Sequence, residues 1–334
     1  MQSMAVEEKR CGMSDKIKIL VTVPFRDRHI DRLQKVIGNA ATIRQINTPA
    51  TVEDLEDTEI VIGEPTPEVL SQNDSVRWVQ MTWAGTDLYT ASSVPFPKRA
   101  MLTNVAGIAY GHIISQYVVG QILSIAQNFP TYIRQQQQEI WQTAGPVFSL
   151  TNKNVLIFGA GDLGQMLAKR LIGFDVHVTG VCRDTSVPRE YFDRLVTLDE
   201  AEGLLGEADV VANCLPNTPE TAQYLDARRL NLLKSGSILV NVGRGNFIDC
   251  LALADILAEG KIRGAALDVT DPEPLPKGHP LWHEPRCSIV PHQAGGAFGK
   301  SDETEDRICD VCCTNLAHYL AGEPLERIVI EPTE

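Results

Sequence analysis

Three side chains in the second half of the chain are of the types that reduce a carbonyl: Arg244 in NVGRGNFID, Glu273 in LDVTDPEPLP and His292 in VPHQAGG. An arginine fork binds a carboxylate and a neighbouring oxygen through paired hydrogen bonds. A histidine gives or takes a proton near neutral pH, which suits an oxygen that turns from carbonyl to hydroxyl. A carboxylate beside the imidazole fixes its tautomer and supports the imidazolium. Taken singly, each has a bland explanation: surface charge, a solvated loop acid, a structural histidine. Their order after successive apolar runs makes coincidence a poor account. Together they suit the interconversion of a 2-keto acid and a 2-hydroxy acid.

Such chemistry needs a hydride source. The apolar run NVLIFG leads into Gly159-Ala160-Gly161-Asp162-Leu163-Gly164, and an amphipathic stretch continues to Leu171. Strand, glycine turn and helix in that order read as a dinucleotide site. The first glycine permits the tight turn, the second admits a pyrophosphate and the third lets helix pack on strand. The helix start adds N–H donors and a partial positive charge. Roughly 20 residues on, an acidic residue usually holds the ribose hydroxyls. Here VTGVCRD offers Cys182, Arg183 and Asp184. Cys182 is too weak an acceptor to replace a carboxylate. Arg183 has the planar fork that suits a 2′-phosphate, and Asp184 reaches a ribose only if the register slips by two. The expected coenzyme is NADP(H) in preference to NAD(H).

The elements that must position these residues follow from the apolar patterning. KIKILVTV, ATIRQI, TEIVIG and VRWVQM read as strands, and DRHIDRLQKVIG shows helical spacing between the first two. The stretch 107–127 reads as one long helix, apolar over much of its surface and therefore buried between domains or subunits. From Lys153 onward NVLIFG, VHVTGV, DVVANCL, SILVNV, GAALDV and CSIVP predict six parallel strands with crossovers. The tail LERIVIE is too short for a core of its own and is expected to return to the first domain. The expected fold class is α/β with two doubly wound domains. A Rossmann NAD(P)-binding domain, 105–294, is inserted into a flavodoxin-like substrate domain, 15–104 and 295–334. A disordered arm is expected at 1–14.

Bulk properties narrow the partners. The net charge of −13 disfavours nucleic acid and anionic membrane surfaces. No run approaches the roughly 20 apolar residues of a membrane span, and the start lacks the apolar region of a secretory signal. Several of the eight cysteines sit in apolar runs, as Cys214 does in DVVANCL, which points to reduced thiols in a cytoplasm. Cys309, Cys312 and Cys313 lie in a helical stretch with no second ligand pair at zinc spacing, so they read as helix packing and no metal is expected.

At these motifs the chain resembles the D-isomer-specific 2-hydroxyacid dehydrogenase family, and within it the glyoxylate/hydroxypyruvate reductases. The resemblance runs from about residue 17 nearly to the end. It is carried by the Gly159–Gly164 loop, LPNTPET at 215–221, NVGRG, LDVTDPEPLP and the Pro291-His292 pair. It implies that Arg244 binds the substrate carboxylate and carbonyl oxygen, that His292 is the general acid/base and that Glu273 pairs with it. It further implies that Asp268 contacts the nicotinamide amide and that Leu215, Pro216, Thr221, Val242 and Gly243 line the coenzyme. The early loop TWAGTD matches the family's carboxylate-binding loop, which makes Trp83, Ala84 and Gly85 substrate-binding candidates. A homodimer through the coenzyme domains is implied as well.

The second-strand acid is missing, and Gln116 stands where many members have Glu. Gln293 follows the histidine and is either a substrate contact or a space filler. Trp83, Tyr110, Trp141 and Trp282 are open between packing and substrate contact. Two other readings share the fold. Formate-dehydrogenase-like chemistry is opposed by Glu273, where that branch carries an amide. A dinucleotide-sensing corepressor keeps the triad but responds to NAD(H), so Arg183 counts against it.

Overall fold

The computed structural model describes residues 16–333; the expected arm at 1–14, with Cys11, lies outside the described residues. In chain order the strands are β1 (Ile17–Val21), β2 (Ala41–Gln45), β3 (Ile60–Ile62), β4 (Trp78–Gln80), β5 (Met101–Thr103), β6 (Asn154–Phe158), β7 (His177–Val181), β8 (Arg194–Val196), β9 (Val210–Asn213), β10 (Ile238–Asn241), β11 (Gly264–Leu267), β12 (Cys287–Ile289) and β13 (Ile328–Ile330). The described chain up to Ala109, with Ala297 onward, forms one compact unit, and Tyr110–Gly296 forms the other.

The first unit is a six-stranded sheet in the order β13-β5-β4-β3-β1-β2. Strands β1 to β5 run parallel, and their order is the flavodoxin-like one. The tail strand β13 closes the edge, antiparallel to β5. Central strands covered on both faces must be apolar throughout, and IVI of β3 is fully buried. Leu20, Val61, Val79 and Leu102 pack with Leu55, Leu70 and Tyr89 on one face. Each such side chain contributes about 1.5–3 kcal/mol on burial.

The helix Asp302–Ala321 is tied to this sheet by a polar network. Asn315 Nδ2 donates to Gln80 Oε1 at 2.8 Å, Thr103 Oγ1 donates to the same oxygen at 2.9 Å, and Trp78 Nε1 donates to Thr103 Oγ1 at 2.8 Å. Buried polar groups are tolerated when satisfied in this way. The cysteines of the C-terminal stretch belong to this helix. Cys309 and Cys312 are buried, and Cys309 Sγ stands 3.9 Å from Cys313 Sγ one turn on.

The second unit is a seven-stranded parallel sheet, β12-β11-β10-β9-β6-β7-β8. Counted from β6 the order is 3-2-1-4-5-6, with β12 as a seventh strand outside it. That is the doubly wound Rossmann order, whose ligand site lies beyond the C-terminal strand ends where the order reverses. Here the reversal falls between β6 and β9. Apolar clusters cover both faces of the sheet. The sequence pattern predicts six strands in this unit, and the additional one is the edge strand β8. At three residues, with Arg194 exposed, RLV is too short to show a period. The equally short MLT of β5 escapes the pattern in the first unit. Among the described residues no helix is long and apolar enough to cross a membrane.

Candidate active site

The glycine turn sits at the end of β6. Gly159 has φ +100° and its N–H donates to Val181 O at 3.0 Å, bending the chain against the neighbouring strand. A Cβ at Gly164 would lie 1.9 Å from Gly159 O, so only glycine lets the helix Asp162–Leu171 start this close to the strand. Gly161 differs, because a Cβ there would meet no protein atom within 4 Å. It is the helix N-cap, and no side chain caps that terminus. Open space in front of uncapped N–H groups fits a pyrophosphate. Ala160 is buried and Leu163 packs on the core beneath.

At the end of β7, Cys182 N donates to Val196 O at 2.9 Å and its thiol lies 3.2 Å from Asp184 O. Asp184 Oδ1 accepts from Ser186 Oγ at 2.6 Å and Ser186 N at 2.9 Å, which holds the carboxyl below the usual carboxylate range. That oxygen is therefore engaged by its own loop. Arg183 is exposed, and after the hydrogen bond from Thr218 its charge is among the influences lowering Glu220 in the LPNTPET segment. Arg189, which the sequence reading missed, has a buried Nε without a hydrogen-bond partner.

The ends of β9 and β10 are joined by a buried asparagine pair. Asn213 Nδ2 donates to Asn241 Oδ1 at 2.9 Å, and Asn213 Oδ1 accepts from Leu215 N at 3.0 Å. Asn241 Oδ1 accepts from Gly243 N at 3.1 Å, and its Nδ2 donates to Arg244 O at 3.0 Å. Two side chains thus fix the backbone of Leu215 and Arg244. Val242 N donates to Asn213 O at 3.0 Å. A Cβ at Gly243 would lie 2.5 Å from Leu215 O, which makes that glycine obligatory. Thr221 Oγ1 donates to Pro216 O at 2.9 Å and accepts from Thr218 N at 2.8 Å, closing the LPNTPET loop. Arg244 follows β10 with extended backbone, and its Nη1 donates to Gly243 O at 2.9 Å.

His292 follows β12 in left-handed backbone, φ +52°. Its N–H donates to Asp268 O at 2.8 Å and Val290 O at 2.9 Å. Asp268, at the end of β11, is buried, and its Oδ1 accepts from Gln293 N at 2.7 Å and Ala294 N at 2.9 Å. Burial raises the Asp268 carboxyl, and these two N–H groups oppose that shift. One acid therefore clamps the turn on both sides of the histidine. His292 Nδ1 lies 2.7 Å from Glu273 Oε1, with both side chains about half exposed. A carboxylate only accepts, so Nδ1 carries the proton and Nε2 is the ring nitrogen able to exchange one. Gln293 Nε2 donates to Pro291 O at 3.2 Å.

In the first unit, Trp83 and Ala84 are exposed in the loop after β4, and Ala84 O accepts from Asn104 Nδ2 at 2.8 Å. Glu64, absent from the sequence reading, reaches this loop from the end of β3. Among the other aromatics, Tyr110 is buried, Trp282 donates to Pro276 O at 2.9 Å, and Trp141 is fully exposed.

The model of the D-isomer specific 2-hydroxyacid dehydrogenase NAD binding domain matches residues 119–294. An uncharacterized protein of Corynebacterium melassecola is 34% identical over 288 residues, 82% of this chain and 89% of that protein. Glyoxylate/hydroxypyruvate reductase A of Serratia proteamaculans is 30% identical over 241 residues, 70% of this chain and 75% of that protein. The crystal structure of a D-isomer specific 2-hydroxyacid dehydrogenase family protein from Aeromonas salmonicida superposes with a TM-score of 0.82 at 31% identity, covering 95% of this chain and 99% of that one.

Proposed function

The chain belongs to the D-isomer specific 2-hydroxyacid dehydrogenase family, and from that premise we propose that it interconverts a small 2-keto acid and its D-2-hydroxy acid, with glyoxylate and hydroxypyruvate as first candidates. The carrying observation is the His292–Glu273 contact of 2.7 Å, held on strained backbone in the unit that bears the glycine turn. Left-handed backbone at a non-glycine residue is costly and collects at functional sites.

A nicotinamide coenzyme, when bound, would supply the hydride. Gly159–Gly164 would hold its pyrophosphate, and Leu215, Pro216, Thr221, Val242, Gly243 and Asp268 would hold the rest of it. Arg244 binds the substrate carboxylate and the carbonyl oxygen, and its charge stabilises that oxygen as negative charge develops. His292 Nε2 gives its proton to the oxygen in reduction and takes it back in oxidation, while Glu273 keeps the ring aligned and supports the imidazolium. Within the first unit, the N–H groups of Ala84 and Gly85, next to Trp83, are proposed to receive a carboxylate.

NADP(H) is the proposed coenzyme. Support comes from the exposed Arg183, the Arg189 Nε without a hydrogen-bond partner and the engagement of Asp184 Oδ1 by Ser186. A homodimer is proposed as well, on the exposed apolar side chains of Phe129, Ile133, Ile140, Trp141 and Val147. Free thiols at all seven described cysteines support a cytoplasmic setting. The test is coenzyme oxidation with NADPH and NADH against glyoxylate, hydroxypyruvate, pyruvate and bulkier 2-keto acids. Turnover of the small acids with NADPH preferred is expected; inactivity toward every 2-keto acid overturns the substrate class, and preference for NADH overturns the role of Arg183.

A further inference from the structure

Glu64 is a half-buried acid with no part in the chemistry above. It follows Gly63 at the end of β3, and its carboxylate is aimed at the start of the Trp83–Gly85 loop. Its Oε1 accepts from Thr82 N at 2.5 Å, Thr82 Oγ1 at 2.9 Å and Trp83 N at 3.2 Å, and its Oε2 lies 3.2 Å from Thr82 Oγ1. Two successive backbone N–H groups are thus consumed by one side chain. The next carbonyl, Ala84 O, is held by Asn104. With the backbone fixed on both sides in this way, the N–H groups that follow, of Ala84 and Gly85, have a set direction.

From this geometry we infer that Glu64 is a positioning residue, which locks the Thr82–Trp83 backbone so that the following N–H groups form a preset seat for a ligand carboxylate. The inference rests on the proposed reading of Ala84 and Gly85. It has an electrostatic corollary. Among the described residues no cation offsets Glu64: burial pushes its carboxyl up to about 7, against the pull of the Thr82 and Trp83 hydrogen bonds. The titratable groups facing it are the Tyr89 hydroxyl and the Cys312 thiol, each raised by burial and by Glu64 itself, so both are neutral through this range. Ionisation of Glu64 therefore places a negative charge beneath a loop that is to receive an anion, and like charges repel.

The test uses the 334-residue protein, its Glu64→Gln variant, which keeps a carbonyl acceptor and cannot ionise, and its Glu64→Ala variant, which lacks the acceptor as well. Amide hydrogen exchange at Thr82 and Trp83 is expected to be slow in wild type and Glu64→Gln, and at least about tenfold faster in Glu64→Ala. Exchange in Glu64→Ala as slow as in wild type overturns the lock, whatever the enzyme's substrate proves to be. Oxamate binding to the NADPH-loaded protein reads the seat. Between pH 6 and pH 8 wild-type affinity should weaken by about threefold more than that of Glu64→Gln, which serves as the reference for every other pH effect. Equal pH dependence in the two overturns the electrostatic part; should Glu64→Ala not fold, exchange at Thr82 and Trp83 in wild type as fast as in an unprotected amide overturns the lock. If oxamate fails to bind any of the three while the exchange pattern holds, the carboxylate-seat reading falls and the lock stands.

Discussion

His292 holds a conformation that costs a non-glycine residue on the order of 1–2 kcal/mol, and Asp268 is what holds it there. The buried Asp268 carboxylate takes the N–H groups of Gln293 and Ala294, and its carbonyl takes that of His292. Arg244, Glu273 and His292 could be singled out in the sequence because their side-chain types suit one reaction and each follows an apolar run; the structure pairs His292 with Glu273. Asn213, Asn241 and Glu64 were not. They act by binding backbone, and nothing in an isolated Asn or Glu says whose N–H it will accept. Glu64 also has a measurable signature in stability. Its folded value of about 7 lies above its ordinary value of 4.5. Folding thus favours its protonated form, so its contribution is complete below about pH 4.5 and is lost as pH rises through about 7. That amounts to about 3 kcal/mol between the two limits. Thermal denaturation from pH 5 to pH 8 should show wild type losing more stability than Glu64→Gln; parallel curves for the two proteins would refute the assignment.

Among the elements, the strand, glycine turn and helix from Asn154 to Leu171 were read nearly to the residue, because Gly159 and Gly164 each answer a separate backbone constraint and Gly161 leaves the helix start open. Gly164 shows how strict one of these reasons is. A methyl group there would sit 1.9 Å from Gly159 O, so strand and helix must separate. Gly164→Ala should cost about 1–3 kcal/mol, the usual range for overpacking, and weaken NADPH binding by about tenfold or more. Chemical denaturation and coenzyme titration check this, and an unchanged dissociation constant would show that the turn tolerates the shift. Strands β5 and β8 were missed because MLT and RLV do not stand in longer apolar runs, as the equally short β3 does in TEIVIG, and pairing with a neighbour decides their state. The tail strand β13 was legible for the opposite reason: LERIVIE had no core of its own and needed an existing sheet edge.

At the scale of the whole molecule, the two α/β series were visible as alternating apolar runs, and both strand orders follow the doubly wound rule. A homodimer is implied only by the resemblance, and the structure offers one surface in support of that proposal. From Phe129 to Val147 several large apolar side chains face outward, and Trp141 is 103% exposed. A monomer rarely leaves such a stretch in water. Trp141→Glu should shift a dimer toward monomer in sedimentation velocity, whereas a wild-type protein that sediments as a monomer removes the dimer altogether. The most direct test of the account concerns proton delivery. NADPH-loaded His292→Ala, mixed with glyoxylate or hydroxypyruvate in a single turnover, is predicted to transfer hydride about 10²–10⁴ times more slowly than wild type. Its dissociation constant for NADPH should stay within about threefold, because His292 lies outside the glycine turn that is proposed to hold the coenzyme. Transfer at close to the wild-type rate would contradict the central claim that this imidazole supplies the proton.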